Sequence, residues 1–489
     1  MLIILTLLLP LLGGAAMSFI RFPSGKARAI YVEAIVCATS LMVLSLLVTR
    51  TQETLILYHL IDKLPLAFRL DGPACLFAGL VAALWPIASL YAFEYMKHEE
   101  RENSFMAWYT MSYAATLAVA FSANLFTLYV FYECLTLVTL PLVIHKKDAM
   151  SIRAGRKYLT YSITGAAFAF IALVVIFFVS GTTDFTLGGV LTAETAAGYE
   201  TMLLVVFLLA FVGFGTKAAV FPMHAWLPAA SVAPTPVTAL LHAVAVVNTG
   251  AFAVLRVIYY AFGTDFLAGT WAHYAALLLA CVTIVFGSSM AVKEQHLKRR
   301  LAWSTISNLS YMLMGAALMS PAGMVGSLTH MVMHGVTKIT LFYCAGAILV
   351  RTGKEYIQDV RGYGKLMPVT CAAFVVAGMS LVGTPPLSGF VSKFNLLTAA
   401  GQAGAIGAIA IAALIISAVL TAIYLFTVIG PMYFRPLNAD MAHYADFNRD
   451  PNWMMLLPFG LLIAAVIGLG LWGGPLVSFL KDVATGVTF

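Results

Sequence analysis

Apolar runs of about 20 residues, each long enough to cross a roughly 30 Å hydrocarbon layer as a helix, recur from the first residue nearly to the last. They predict helices over 2–20, 29–49, 73–93, 105–122, 124–144, 158–180, 201–220 with a broken continuation, 237–260, 272–292, 301–319, 323–349, a broken 369–400, 404–432 and 453–473. The pattern therefore predicts an all-α polytopic membrane protein of about fourteen transmembrane helices. Two stretches depart from it. Residues 54–72, TLILYHLIDKLPLAFRLDG, alternate apolar and polar positions and are too short and charged to span, so they read as a strand or hairpin on the outer surface. Residues 433–452 form a polar connection, partly helical, on the cytoplasmic side.

Two spans are interrupted. The seventh breaks just after Lys217, where Pro222, Pro228, Pro234 and Pro236 follow, and the twelfth breaks at Gly383, Pro385, Pro386 and Gly389, shortly before Lys393. Proline removes a helical donor and clashes with the preceding turn. Breaks at corresponding positions predict two five-helix repeats, helices 4–8 (105–260) and helices 9–13 (272–432). An odd number of helices per repeat makes them inverted. Helices 1–3 with the hairpin (1–104) precede the repeats, and the polar connection with helix 14 (433–489) follows. Lipid cannot satisfy the backbone groups freed at a break, so both breaks are expected to line enclosed, hydrated space.

Composition and charge sharpen this picture. The chain is 61% hydrophobic and 10% charged, against about 25% charged in soluble domains. Its net charge of +7 would suggest nucleic acid in a soluble protein, but here the basic residues sit in alternate loops. Twenty of the 28 basic residues, from Arg21, Lys26 and Arg28 through Lys298 to Arg435 and Arg449, fall on one side, while Arg256 sits near the outer end of the eighth helix. That asymmetry reports orientation in a lipid bilayer, with both termini away from the cytoplasm, and gives no reason to expect a nucleic-acid partner. The first apolar run has no basic residues before it and reads as a retained span rather than a cleaved signal. The six cysteines all lie in apolar stretches without C-x-x-C pairing and read as packing residues.

Three lysines remain inside predicted helices: Lys217, Lys338 and Lys393. Glu133 is the one carboxylate well inside a span, while Glu33 lies near the cytoplasmic end of its predicted helix and is expected to reach water. Intramembrane ionisable residues mark ion or proton pathways. On the eleventh helix His330, His334 and Lys338 recur at i, i+4 and i+8, a polar stripe about 12 Å long on one face. On the eighth, His242 and Asn248 are about 240° apart if the helix is continuous, so only one of them would face that stripe. Histidine titrates near neutrality, and a desolvated lysine can do so too, which suits proton transfer. A lysine whose carboxylate partner moves can release its proton, and Glu133 with Lys217 would be such a pair. Bland alternatives accompany these roles: snorkelling for Lys217 and Lys393 beside their breaks, a hydrogen-bonded core residue for His242, and a polar loop residue for His224. The sequence has no nucleotide loop, catalytic triad or metal-ligand cluster.

The stretches LYVFYECLTLVTLPLV, KAAVFPMHAWLPAASVAPTPVTALLHA, HMVMHGVTKITLFYCAG and GTPPLSGFVSKFNLL carry a family likeness. The chain resembles the antiporter-like membrane subunits shared by respiratory complex I, Mrp-type cation/proton antiporters and energy-converting membrane-bound hydrogenases. The resemblance implies that Glu133 and Lys217 form the entry pair of a proton path, that Lys393 ends it, and that His242, His330 and His334 link the lysines. Many members carry the central lysine on the eighth helix, where this chain has Asn248, so the resemblance assigns the central role to Lys338. The long lateral helix of the distal complex I subunit is not matched, which favours a middle-position subunit, or a Mrp or hydrogenase subunit. The implied function is proton translocation in a redox-driven complex of a prokaryotic inner or plasma membrane. No cofactor is expected in this chain, redox cofactors are expected in partner subunits, and the partners are other antiporter-like and small helical membrane subunits. A Mrp-type antiporter subunit moving Na⁺ against H⁺ without electron transfer is the alternative, and a structural scaffold that has lost transport is a second one, motivated by Asn248.

Overall fold

The computed structural model describes residues 1–50, 53–61, 63–438 and 449–487. In chain order the principal elements are α1 (Leu2–Ala16), α2 (Gly25–Thr49), β1 (Leu55–His59), β2 (Pro65–Phe68), α3 (Gly72–Met96), α4 (Glu102–Ala120), α5 (Leu125–Val143), α6 (Ala149–Ser180) and α7 (Glu200–Gly215). They continue with α8 (Thr235–Phe262), α9 (Trp271–Lys293), α10 (Leu297–Ala317), α11 (Pro321–Thr352), α12 in two halves (Pro368–Val382 and Ser388–Gln402), α13 (Gly404–Phe434), α14 (Trp453–Leu471) and α15 (Gly474–Thr485). Among the described residues nine helices are long and apolar enough to cross a membrane: α2, α3, α5, α6, α8, α9, α11, α13 and α14. The protein is a helical integral membrane protein.

Polar caps set many of the helix ends. Ser24, Asp71, Asn124, Asp148, Thr270 and Ser320 each accept a backbone N–H from the first turn of the helix that follows, a contact worth about 1 kcal/mol. The expected hairpin is present. β1 pairs antiparallel with β2, from Leu55 opposite Phe68 to His59 opposite Pro65, and Asn124 Nδ2 and Thr127 Oγ1 tie β2 to the start of α5.

Three elements differ from the pattern of the sequence. The seventh helix ends at Gly215, so Lys217 lies in the turn beyond it and not within a helix. α8 is not continuous: it is helical over Thr235–Ala243 and again from Val246, with Val244 and Ala245 out of helical geometry between. The angular separation expected for His242 and Asn248 therefore does not apply. α15 was not legible from apolar run length because it has only 12 residues, with Lys481 and Asp482 on its exposed side, yet Leu480 and Val483 are buried, and Val483 packs on Gly72 at the start of α3. Of the polar connection 433–452, residues 439–448 lie outside the described residues; α13 continues through Phe434 and α14 begins at Trp453.

α8 and α11 run through the middle of the bundle and are buried along almost their whole length. α2, α6 and α13 lie outside and present Leu41, Leu44, Phe170, Phe178, Ile409 and Ile416 to the surroundings. The polar residues of the candidate site therefore sit inside a layer of apolar helices.

Candidate functional site

The first break begins where α7 stops. The carbonyls left free there are taken up by side chains: Tyr132 Oη donates to Phe214 O at 2.9 Å and Trp226 Nε1 donates to Thr216 O at 2.8 Å. Lys217 is fully buried in the turn, its ammonium over the ring of Tyr132 at 3.4 Å from the centroid and donating to the backbone carbonyl of Tyr132. Glu133 is the next residue on α5, half-buried, with Oε1 enclosed and without a hydrogen-bond partner. No ion pair within 4.0 Å joins it to Lys217, although the two groups interact electrostatically. The aromatic face and the carbonyl, both electron-rich, hold the ammonium instead. Gly250 lets α8 approach this turn, since a Cβ there would lie 2.4 Å from Ala218 N and 2.8 Å from Lys217 C.

The second break has the same logic with the residues exchanged. The first half of α12 ends at Gly383, whose φ of +100° suits glycine, and the chain passes through Pro385 and Pro386 before the helix resumes at Ser388. Lys393 Nζ reaches back to donate to Leu381 O at 2.7 Å and Val382 O at 2.8 Å, the last carbonyls of the first half. A cation at a helix C-terminus is favoured by the free carbonyls and the helix dipole. Gly389 is as close-packed as Gly250: a Cβ there would sit 1.7 Å from Ser380 O.

Between the breaks, His330, His334 and Lys338 of α11 are all buried. The rings of His330 and His334 stack with centroids 5.7 Å apart, and His330 Nδ1 meets Ser392 Oγ at 3.0 Å, which links the stripe to the helix carrying Lys393. Lys338 Nζ donates to Leu301 O at 3.0 Å and to Ser304 Oγ on α10. His242 lies against Phe342 of α11, and His330, Lys338 and His242 all act electrostatically on His334. Asn248 has a specific task. Its Nδ2 donates to Ala243 O at 2.8 Å and so caps the carbonyl freed by the break in α8, directly opposite Gly335. Both ring nitrogens of His242 and His334, and Nε2 of His330, are buried without a protein partner, and such groups are normally met by water.

These contacts permit one kind of chemistry. Lys217, Lys338 and Lys393 donate their hydrogen bonds to carbonyls and a hydroxyl. A neutral amine keeps N–H groups that can still donate to the same oxygens. Each pocket can therefore hold its lysine before and after the loss of a proton, with no carboxylate bonded to it to trap the charge.

Residues 122–421, which include every group just described from Glu133 to Lys393, match the family described as NADH:quinone oxidoreductase/Mrp antiporter, TM. The chain belongs to this family. The NADH-quinone oxidoreductase subunit N of Desulforudis audaxviator is 32% identical over 412 residues, 82% of this chain and 80% of that protein. A probable K(+)/H(+) antiporter subunit of Rhizobium meliloti is 31% identical over 85% of this chain, which spans only 42% of that longer protein. A chain of the membrane-bound sulfane sulfur reductase, described as an archaeal respiratory membrane complex, superposes with a TM-score of 0.84 over 99% of this chain and 97% of that one, at 21% identity.

Within this antiporter-family chain some buried polar residues escaped the sequence pattern. Lys298, counted with a basic loop, is buried at the first turn of α10 with Nζ 3.3 Å from Ala233 O. Ser304, the partner of Lys338, belongs to the run Ser304, Thr305, Ser307, Asn308 and Ser310, unusually polar for a span and a readable signal. Arg256, read as lying near an outer helix end, is fully buried and forms a two-pronged ion pair with Asp71 at 2.5 and 2.7 Å. His224 packs between Phe221 and Phe286 near the first break.

Proposed function

We propose that this chain is a proton-translocating, antiporter-like subunit of a multisubunit redox-driven membrane complex, passing protons along Glu133, Lys217, His242, Lys338, His334, His330 and Lys393. The observation that carries this reading is the set of three enclosed lysines held by carbonyl or hydroxyl oxygens. A proton that enters near Glu133 can charge Lys217, pass through the histidines and Lys338, and leave from Lys393, each lysine returning to a neutral amine that its pocket still satisfies. The chain itself needs no cofactor for these steps, and redox cofactors would belong to partner subunits, among them other antiporter-like and small helical subunits. Two Gly/Pro breaks, each with a lysine bonded to a backbone carbonyl, support the inverted five-helix repeats and the layout of about fourteen spans. The basic loops support an orientation with both termini outside the cytoplasm of a prokaryotic plasma membrane.

A Mrp-type subunit exchanging Na⁺ or another cation for H⁺ is the second reading, and the likeness to the K(+)/H(+) antiporter protein favours it as much as the likeness to the quinone oxidoreductase protein favours the first. The subunit composition of the purified native complex separates the two: iron–sulfur or flavin subunits support the redox reading, small antiporter subunits alone the other. A scaffold that has lost transport is the third reading, since Asn248 caps a backbone carbonyl and carries no proton charge. Replacing Lys338 with alanine in the assembled complex tests it. Proton uptake per turnover should be lost, and unchanged uptake would sink the relay.

A further inference from the structure

A second carboxylate lies inside the helical bundle, outside the matched segment and away from the row of lysines. α2 begins at Gly25 with Ser24 as its cap, so Glu33 sits about 12 Å along the helix, half-buried. Its two oxygens are individually held. Ser89 Oγ, fully buried on α3, donates to Oε2, and Cys37 Sγ, one turn further along α2, donates to Oε1 at 3.5 Å. Among the described residues no ion pair neutralises it: Arg28, the nearest cation on its own helix, is engaged with Glu102 at the start of α4. α1, which also packs on α2, carries no ionisable side chain. An intramembrane carboxylate held by neutral donors alone is costly, and costly residues of this kind mark function.

The groups behind Glu33 form a polar aromatic seam. Trp85 of α3 stacks on Tyr113 of α4 at 4.6 Å and packs on Tyr109 at 5.6 Å, and Tyr113 Oη meets Ser40 Oγ of α2 at 2.9 Å. Tyr109 interacts electrostatically with Glu33 and through its hydroxyl with Tyr343 on α11. Tyr343 in turn stacks on Tyr91 of α3 at 3.8 Å. Trp85 Nε1 is buried without a hydrogen-bond partner, and the buried hydroxyls of Tyr109 and Tyr343 interact with each other. An orphaned indole donor beside two buried hydroxyls is placed to bond water. The seam leads from Glu33 to α11, the helix that carries Lys338.

We propose that Glu33 is a second proton-exchanging carboxylate, joined through Ser89, Tyr109 and Tyr343 to the central helix α11. The proposal rests on the proton-translocation reading above. In it the carboxylate takes one proton to become the acid, and gives that proton up to a hydroxyl or water of the seam, returning to the carboxylate that Ser89 and Cys37 hold.

The test uses the full chain in its native complex, reconstituted in vesicles, as wild type, Glu33→Gln, Glu33→Asp, Tyr109→Phe and Lys338→Ala, each checked for intact assembly. Two readouts are taken: proton flux, and the carboxylic C=O bands in pH-titrated infrared difference spectra. Glu33→Gln should remove one titrating carboxyl band and lower flux several-fold. Glu33→Asp should keep a band, shifted, with much of the flux, and Tyr109→Phe should keep the band but slow the flux. If Glu33→Gln leaves every titrating band in place, or keeps full flux where Lys338→Ala loses it, the proposal is wrong. Full flux in Lys338→Ala would instead overturn the relay reading, and the band alone then decides whether Glu33 exchanges a proton.

Discussion

Asp71 does two jobs that can be separated by two substitutions. It caps α3, accepting from Ala74 N at 3.1 Å, and it pairs with the fully buried Arg256, whose guanidinium also lies 4.6 Å from the centroid of Tyr260 and 5.0 Å from those of Phe185 and Phe252. Asp71→Asn keeps an oxygen suited to capping, so it reads the ion pair by itself. Removing one partner of a buried pair costs about 3–5 kcal/mol. The Asp71 side chain is 15% exposed while that of Arg256 is 0%, so the lower end, about 3 kcal/mol, is expected. Asp71→Ala removes the cap as well and should cost about 1 kcal/mol more. Arg256→Met should be milder, because Asp71 keeps its cap and still has Arg69 at 3.8 Å. Combining Asp71→Ala with Arg256→Met should recover most of the ion-pair loss, since no uncompensated buried charge remains. Equilibrium unfolding of the purified chain in mixed detergent micelles measures the series. Asp71→Asn as stable as wild type, or a double variant no better than Asp71→Ala, would refute the reasoning.

Further outcomes follow from the same contacts. Gly250→Ala should fold but displace the Lys217 turn, because the new methyl meets backbone at 2.4 Å; proton flux in vesicles should fall with assembly intact, and unchanged flux would show that the turn tolerates the shift. Lys393→Glu places a negative charge against Leu381 O and Val382 O and should lower both stability and flux more than Lys393→Gln does, as compared by unfolding and vesicle assays. In the loops, the His296 ring 3.3 Å from Glu355 holds that carboxyl below its ordinary value. A depressed value means the contact stabilises the fold above the unfolded pKa of about 4.3 and is lost as pH falls through the folded one. The protection of the Leu297 and Ile357 amides, which bond Glu355 O and Gln295 O, relative to their intrinsic exchange should therefore fall as pH drops below the unfolded glutamate value of about 4.3, and Glu355→Gln should remove that dependence.

The sequence by itself determined where the helices run, because membrane spans are long apolar runs whose length is set by the bilayer and whose ends collect caps and charges. It also determined both Gly/Pro breaks and the three embedded lysines, since each is a local contradiction in an apolar run. The break in α8 was hidden, because Ala243, Val244 and Ala245 are ordinary helix formers and only the approach of Gly335 with the Asn248 cap opens the backbone there. The partners of the lysines were equally out of reach: that Lys217 turns to the carbonyl of Tyr132 rather than to the carboxylate of Glu133, and that Lys338 reaches Ser304, depends on how helices distant in sequence pack. Arg256 and Lys298 looked like interface charges because a residue's depth depends on its neighbours in space. Glu33 changed most, since its place near a predicted helix end suggested access to water, whereas packing against α3 brings Ser89 onto one oxygen, Cys37 of its own helix takes the other, and no ion pair forms with it among the described residues. Apolar length is a local property of the chain; the pairing of buried charges is decided only when the helices meet.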